Sequence, residues 1–228
     1  MAPSTAAPTL VSSELMLMLL ADARLPTAGH TQSGQLEPAV EAGLTAAHVP
    51  DYLALRLSTV TRVEAATAVV ALHHVRQGFA LDEVEAAWAA RTPSPAMRDA
   101  SRAMGRALLR LARRLWPDHC VLSQLAPGTP RSVVTAAVAH AGGLDPRALA
   151  RLVGYDDVQT VAAAALKLVP LDPTVVTGWV LDALPAVDRL AQEVATTTRP
   201  AAIPIAGCPQ IEAWAQAHAV AQRRLFSA

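Results

Sequence analysis

Seven histidines, two cysteines and nineteen acidic side chains are the material for metal binding or acid–base work in this 228-residue chain, but their spacing brings few of them together. His73 and His74 are adjacent, so on a helix their rings point about 100° apart, and no H-x-x-x-H or H-E-x-x-H occurs. His119-Cys120 is the best local ligand pair. Zinc or nickel would need further ligands converging on it from elsewhere, and the ordinary reading of such a pair is structural. Ser33, with His30 and Glu37, is the one nucleophile candidate. The order does not match a G-x-S-x-G elbow and no strand precedes it, so a structured loop is the better reading. No G-x-x-x-x-G-K-[ST] is present, which excludes nucleotide binding by that route.

Two basic features have a different character. Arg98, Arg102, Arg106, Arg110 and Arg113 recur along one side of residues 95–116, and the stripe extends to Arg114. Such a stripe is ordinarily a solvated helix face. Its functional readings are an acidic partner or, with residues 98–114 as a reading helix, a DNA-binding regulator, although no aromatics interleave with the arginines. The tail Arg223-Arg224-Leu225-Phe226-Ser227-Ala228 joins arginines to an aromatic. These are common interface anchors, so a docking tail stands beside a frayed terminus as its reading.

Helices must position these groups. Residues 1–11, with Pro3 and Pro8, read as a flexible lead, after which Ser12 or Ser13 caps a helix over about 13–22. Residues 23–33, ARLPTAGHTQS, form an irregular loop, and a short helix then runs to Ala42 and stops at Gly43. Pro50-Asp51 starts a helix with Leu53, Leu57 and Val60 on one face, and another runs to Gly78. Asp82 caps the next, before Pro93. Over residues 95–116, Met97, Ala100, Met104, Leu108, Leu111 and Leu115 make an apolar stripe opposite the arginines. Thr129-Pro130, Asp145-Pro146 and Asp172-Pro173 each read as a cap followed by proline at the first helical position. Residues 158–168 read as a short helix of small residues. Pro185 is expected to kink or split the helix that holds it, and a linker over 196–209 leads to a last helix near 210–222. The expectation is an all-α single domain over 12–222, of roughly eight to ten helices, with a docking tail at 223–228.

Composition agrees. The chain is 52% hydrophobic and 17% charged, with nineteen basic against nineteen acidic residues, which excludes a disordered chain and removes the basic excess usual in nucleic-acid binders. Alanine supplies 49 residues and arginine 18 of the 19 bases, both favouring helix. One domain of this length buries roughly 70% of its unfolded surface, so no metal or disulfide is needed. The charged fraction is low for a solitary monomer, and Phe226 is one of only eight aromatics, which points to surface kept for partners. Cys120 and Cys208 form no C-x-x-C and fit a reducing cytoplasm. The apolar run 15–21 lacks a preceding base and is too short for a membrane span, so neither secretion nor insertion is expected.

Three stretches and the tail resemble one family, the urease accessory proteins of the UreF type. Residues 15–37, LMLMLLADARLPTAGHTQSGQLE, are similar to its opening pattern of apolar helix, Leu-Pro turn, glycine and aromatic, then serine and a Gly-Leu-Glu helix start. Residues 98–109, RDASRAMGRALL, resemble its Arg-x-x-Ser-x-x-x-Gly helix. Residues 158–173, VQTVAAAALKLVPLDP, resemble its small-residue helix and apolar-Pro-Leu turn, and Arg224-Leu225-Phe226-Ser227 its R-L-F-x-S ending. His30 stands where the family usually has an aromatic, and Asp22-Ala23 where it has Ser-Pro, which marks a divergent branch.

The resemblance implies an all-α, cytoplasmic homodimer that works as a non-enzymatic maturation factor. Such proteins bind UreD (UreH) and recruit the GTPase UreG, and that assembly helps place nickel in the apo-urease of UreA, UreB and UreC, with UreE as supplier of the metal. It further implies that the chain holds no cofactor itself, nickel and GTP being handled by partners. Pro26, Gly29, His30, Ser33 and Glu37 would organise the GTPase-facing surface, and Arg223, Arg224, Leu225, Phe226 and Ser227 would support docking. The rivals are the DNA-binding regulator and a direct nickel carrier using His119 and Cys120.

Overall fold

Ser12 opens the first helix: its Oγ accepts from the N–H of Leu15 at 3.2 Å and caps α1 (Ser13–Leu20). The computed structural model describes residues 11–27 and 29–227. Residues 1–10 of the lead expected over 1–11, Ala28, Ala228 and the side chain of His30 lie outside that description. After α1 come α2 (Leu36–Glu41), α3 (Val49–Ser58), α4 (Val60–Gln77), α5 (Asp82–Arg91), α6 (Pro95–Leu115) and α7 (Cys120–Gln124). The chain continues with α8 (Arg131–Ala141), α9 (Pro146–Leu168), α10 (Pro173–Val194) and α11 (Pro209–Ala219). No strand occurs among the described residues, so the all-α expectation holds. Ten of these eleven helices were anticipated; the exception is the five-residue α7, too short for periodicity to reveal.

The interior is built on α4, whose Val63, Ala66, Val70 and Leu72 are buried between α8 and α9, while α10 packs along α9. Asp145 and Asp172 cap α9 and α10 as their sequence signature requires, accepting from the N–H groups of Ala148 and Thr174, each at 2.7 Å. Gly78, at φ +70°, ends α4 in the left-handed conformation.

Elsewhere tertiary contacts override local pattern. Pro130, not Thr129, occupies the cap position of α8, and Leu81 rather than Asp82 that of α5. Helices α1 and α11 end at Leu20 and Ala219, short of the expected 22 and 222. Residues 158–168 are the second half of the 23-residue α9, not a short helix. Pro185 does not split α10: the carbonyl that loses its N–H partner belongs to Leu181, which is exposed to water. Val60 starts α4 instead of extending α3, because Ser58 and Thr59 both turn their hydroxyls onto the carbonyl of Leu55, at 2.9 and 2.7 Å.

The largest departure is the rotation of α6. Its buried residues are Ser101, Gly105, Ala107, Leu108, Leu109 and Ala112, whereas Met97, Ala100, Met104 and Leu111 are half-buried and Leu115 is exposed. Close approach, rather than hydrophobicity, selects the face. A Cβ at Gly105 would collide with the carbonyl oxygen of Thr129, and Ser101 Oγ accepts the N–H of Arg131 at 3.1 Å, one of the donors left over at the start of α8. The Ser-x-x-x-Gly spacing therefore seats α8 on α6. Gly105→Ala should lower stability by about 1–3 kcal/mol, read as a melting temperature lower by roughly 3–10 °C. Glycine-to-alanine in an open helix stabilises, so a rise in melting temperature would refute the contact.

Candidate docking site

Gly34 and Gln35 both adopt left-handed backbone, at φ +59° and +60°. This costs little at glycine but of order 1 kcal/mol or more at Gln35. Two side chains of α3 hold the turn. Tyr52 donates its hydroxyl to the Gly34 carbonyl at 2.6 Å, and Arg56 donates Nη1 to the same carbonyl and to Gln35 Oε1, each at 2.8 Å. Arg56 is itself buried and forks onto Asp157 of α9 at 2.6 and 2.9 Å, where Thr61 adds a hydroxyl donor at 2.7 Å. Burial works against both charges, but their mutual attraction and hydrogen bonds win: the Asp157 carboxyl lies below its ordinary pKa and Arg56 above its own. A side chain on Gly34 would strike Val161, 2.9 Å from where its Cβ would stand.

This turn launches α2, and Glu37 in its first turn is 5% exposed. The Glu37 carboxylate accepts the backbone N–H groups of Leu225 and Phe226, the latter at 2.9 Å, and meets His218 Nε2 of α11 at 2.9 Å. Burial alone would raise its pKa; the two tail N–H donors and then His218 outweigh that and hold it below the ordinary value. Ser227 donates its N–H to the Thr31 carbonyl at 2.7 Å, and Arg224 reaches back to the Ser227 carbonyl at 3.4 Å. Phe226 is 4% exposed, with Lys167 Nζ 5.0 Å from its ring centroid. The loop and the tail, nominated separately from the sequence, thus form one site with Glu37 at its centre.

Phe226 corrects an expectation: a single chain does have a use for it, as the plug that seats the tail. Leu225, 63% exposed, and the exposed Arg223 and Arg224 project beside it. Ser33 is buried and Pro26 is exposed on the outer turn, while Gly29 and Phe226 border a common cavity of about 230 Å³. Glu37 is occupied by the tail, and the histidine it meets is His218 of α11. Arg56, Asp157 and His218 were missed. Arg56 did leave a signal: a charged residue among Tyr52, Leu53 and Leu57 on the apolar side of a helix needs an interior partner.

The other candidates have different surroundings. His119 packs edge-on against His140, with centroids 5.4 Å apart, and Cys120 is exposed. Among the described residues no group of three or more His, Cys, Asp or Glu converges as a metal site would require, and no helix is long and apolar enough to cross a membrane. The arginine stripe is partly structural: Arg98 caps the carbonyls of Thr92 and Pro93, and Arg113 those of Leu122, Ser123 and Leu125.

The UreF family model matches residues 44–184. A urease accessory protein UreF of Mycolicibacterium vanbaalenii is 39% identical over 221 residues, 95% of this chain and 100% of that protein. The UreF of Mycobacterium marinum is 37% identical over 93% of this chain and 97% of its own length, and that of Mycobacterium tuberculosis 36% over 95% and 99%.

Proposed function

The chain belongs to the UreF family of urease accessory proteins, and from that premise we propose that it is a non-enzymatic scaffold which joins UreD (UreH) to the GTPase UreG on apo-urease. In this reading GTP hydrolysis by UreG is coupled to nickel delivery in the cytoplasm. The protein contributes surface and geometry rather than a nucleophile, and nickel is cargo handled by the assembly. One observation carries it: the tail is latched by Glu37, leaving Arg223, Arg224 and Leu225 displayed on a fixed backbone. A tail ordered before binding has less conformational entropy to lose on docking. Self-association belongs to the same reading and has its own support. Met18 of α1 and Leu181 of α10 are 71% and 65% exposed, and Met18 borders one surface hollow with Leu184, apolar surface of the kind that partners cover.

Multi-angle light scattering of the chain co-purified with UreD tests both elements. The full chain should give a complex containing two copies, and deletion of 223–228 should abolish UreD binding. The triple change Arg223→Ala, Arg224→Ala, Leu225→Ala, which spares the Phe226 plug, should weaken binding at least tenfold. An unchanged complex after deletion would remove the tail's role, and a mass with one copy would remove the dimer.

A further inference from the structure

Six arginines lie on α6, and the structure divides them. Arg98 and Arg113 hold backbone carbonyls, while Arg102 lies 5.7 Å from the Trp88 ring and 3.7 Å from Asp99. Arg106, Arg110 and Arg114 are exposed, and among the described residues no hydrogen bond, ion pair or ring contact engages them. They stand four residues apart, so they form one row with steps of about 6 Å, roughly 12 Å long. Ala103, one turn before Arg106, is exposed, and Ala107 is buried beside the row. Like charges at four-residue spacing repel and cost an isolated helix a few tenths of a kcal/mol per pair. Only Arg114 is in the last turn, where the helix dipole favours a cation.

We infer that Arg106, Arg110 and Arg114 form a docking row for a protein helix that carries carboxylates at matching four-residue spacing. The guanidinium fork pairs with a carboxylate through two parallel hydrogen bonds, which gives such a row register as well as charge complementarity. A second copy of the chain does not supply the partner. Glu37 and Glu41 are its only acidic pair at four-residue spacing, no three carboxylates continue such a row, and Glu37 is buried beneath the tail. A nucleic acid fits less well: three cations neutralise too few phosphates for useful affinity, the chain has no net charge, and no aromatic stands between the arginines.

The test is an NMR titration of the full chain at low salt, following the arginine Nε–Hε signals. The matched probe is an alanine-based helical peptide with three glutamates at four-residue spacing. The controls are a peptide of the same composition with its glutamates spread around the helix, and a 12-base-pair DNA duplex. The matched peptide should shift Arg106, Arg110 and Arg114 and bind at least tenfold more tightly than the spread peptide. R106E/R110E/R114E should abolish the response, and R110E alone should weaken it several-fold should the triple variant fail to fold. Equal binding of the two peptides, tighter binding of the duplex, or a response that R110E leaves undiminished would overturn the proposal.

Discussion

Arg56→Ala should lower the stability of this protein more than any other single change considered, by about 3–5 kcal/mol, or a melting temperature lower by roughly 10 °C. The loss is not that of an ordinary surface ion pair. Asp157 would be left as a half-buried carboxylate with only Thr61 as donor among the described residues, and the Gly34 carbonyl would keep Tyr52 alone. Gln35 would also lose the hydrogen bond that holds its left-handed backbone. Asp157→Ala should cost a similar amount by stranding the guanidinium. Combining Arg56→Met with Asp157→Leu should recover part of the loss, because it removes both charges and refills the space. Thermal denaturation of the four proteins decides it; a single variant within 1 kcal/mol of the parent would show that the pair is solvated in the working protein.

Glu37→Ala should detach the tail without unfolding the domain. The carboxylate holds two backbone N–H groups and His218, and hydrogen bonds to a charged acceptor are individually worth about 1.5–3 kcal/mol. The last residues can leave independently of the helices, so the tail's own undocking limits the effect. We expect amide exchange at Leu225, Phe226 and Ser227 to rise roughly thirtyfold to a hundred-and-fiftyfold, about 2–3 kcal/mol, with little change in global melting. The pH dependence follows from the lowered pKa. The contribution of Glu37 is fully present above the unfolded glutamate value of about 4.3 and is lost as pH falls through the lower folded value. Acidification should therefore release the parent's tail, lowering protection relative to the intrinsic exchange rate at each pH, while protection in the alanine variant stays unchanged. Equal protection of residues 225–227 in parent and variant at neutral pH would mean that Phe226 burial alone holds the tail.

If the tail is the UreD contact proposed above, Glu37→Ala should weaken that contact although position 37 is buried. The family resemblance placed Glu37 beside the helix start it belongs to, but the residue's task could not be read from its neighbours. Its partners are 181, 188 and 189 residues away in sequence. His218 is one histidine in an alanine-rich helix, and nothing in its local spacing distinguishes it.

What the sequence determined alone is what neighbouring residues can encode. Asp145-Pro146 and Asp172-Pro173 start helices because a carboxylate reaches N–H groups two or three positions on, and Gly78 ends one because it adopts positive φ without steric cost. The abundance of alanine and arginine pointed to helix throughout, and motif order was enough to mark the family. The tertiary structure decided which face of each helix lies inside, and which distant groups meet. On α6, periodicity favoured the methionine stripe, yet the backbone of residues 129–131 came closest at Ser101 and Gly105, where there was no bulk to exclude it. The same holds for Arg56 with Asp157 and for Glu37 with the tail. A buried charge requires a partner, but only the folded chain determines which residue is near enough to be that partner.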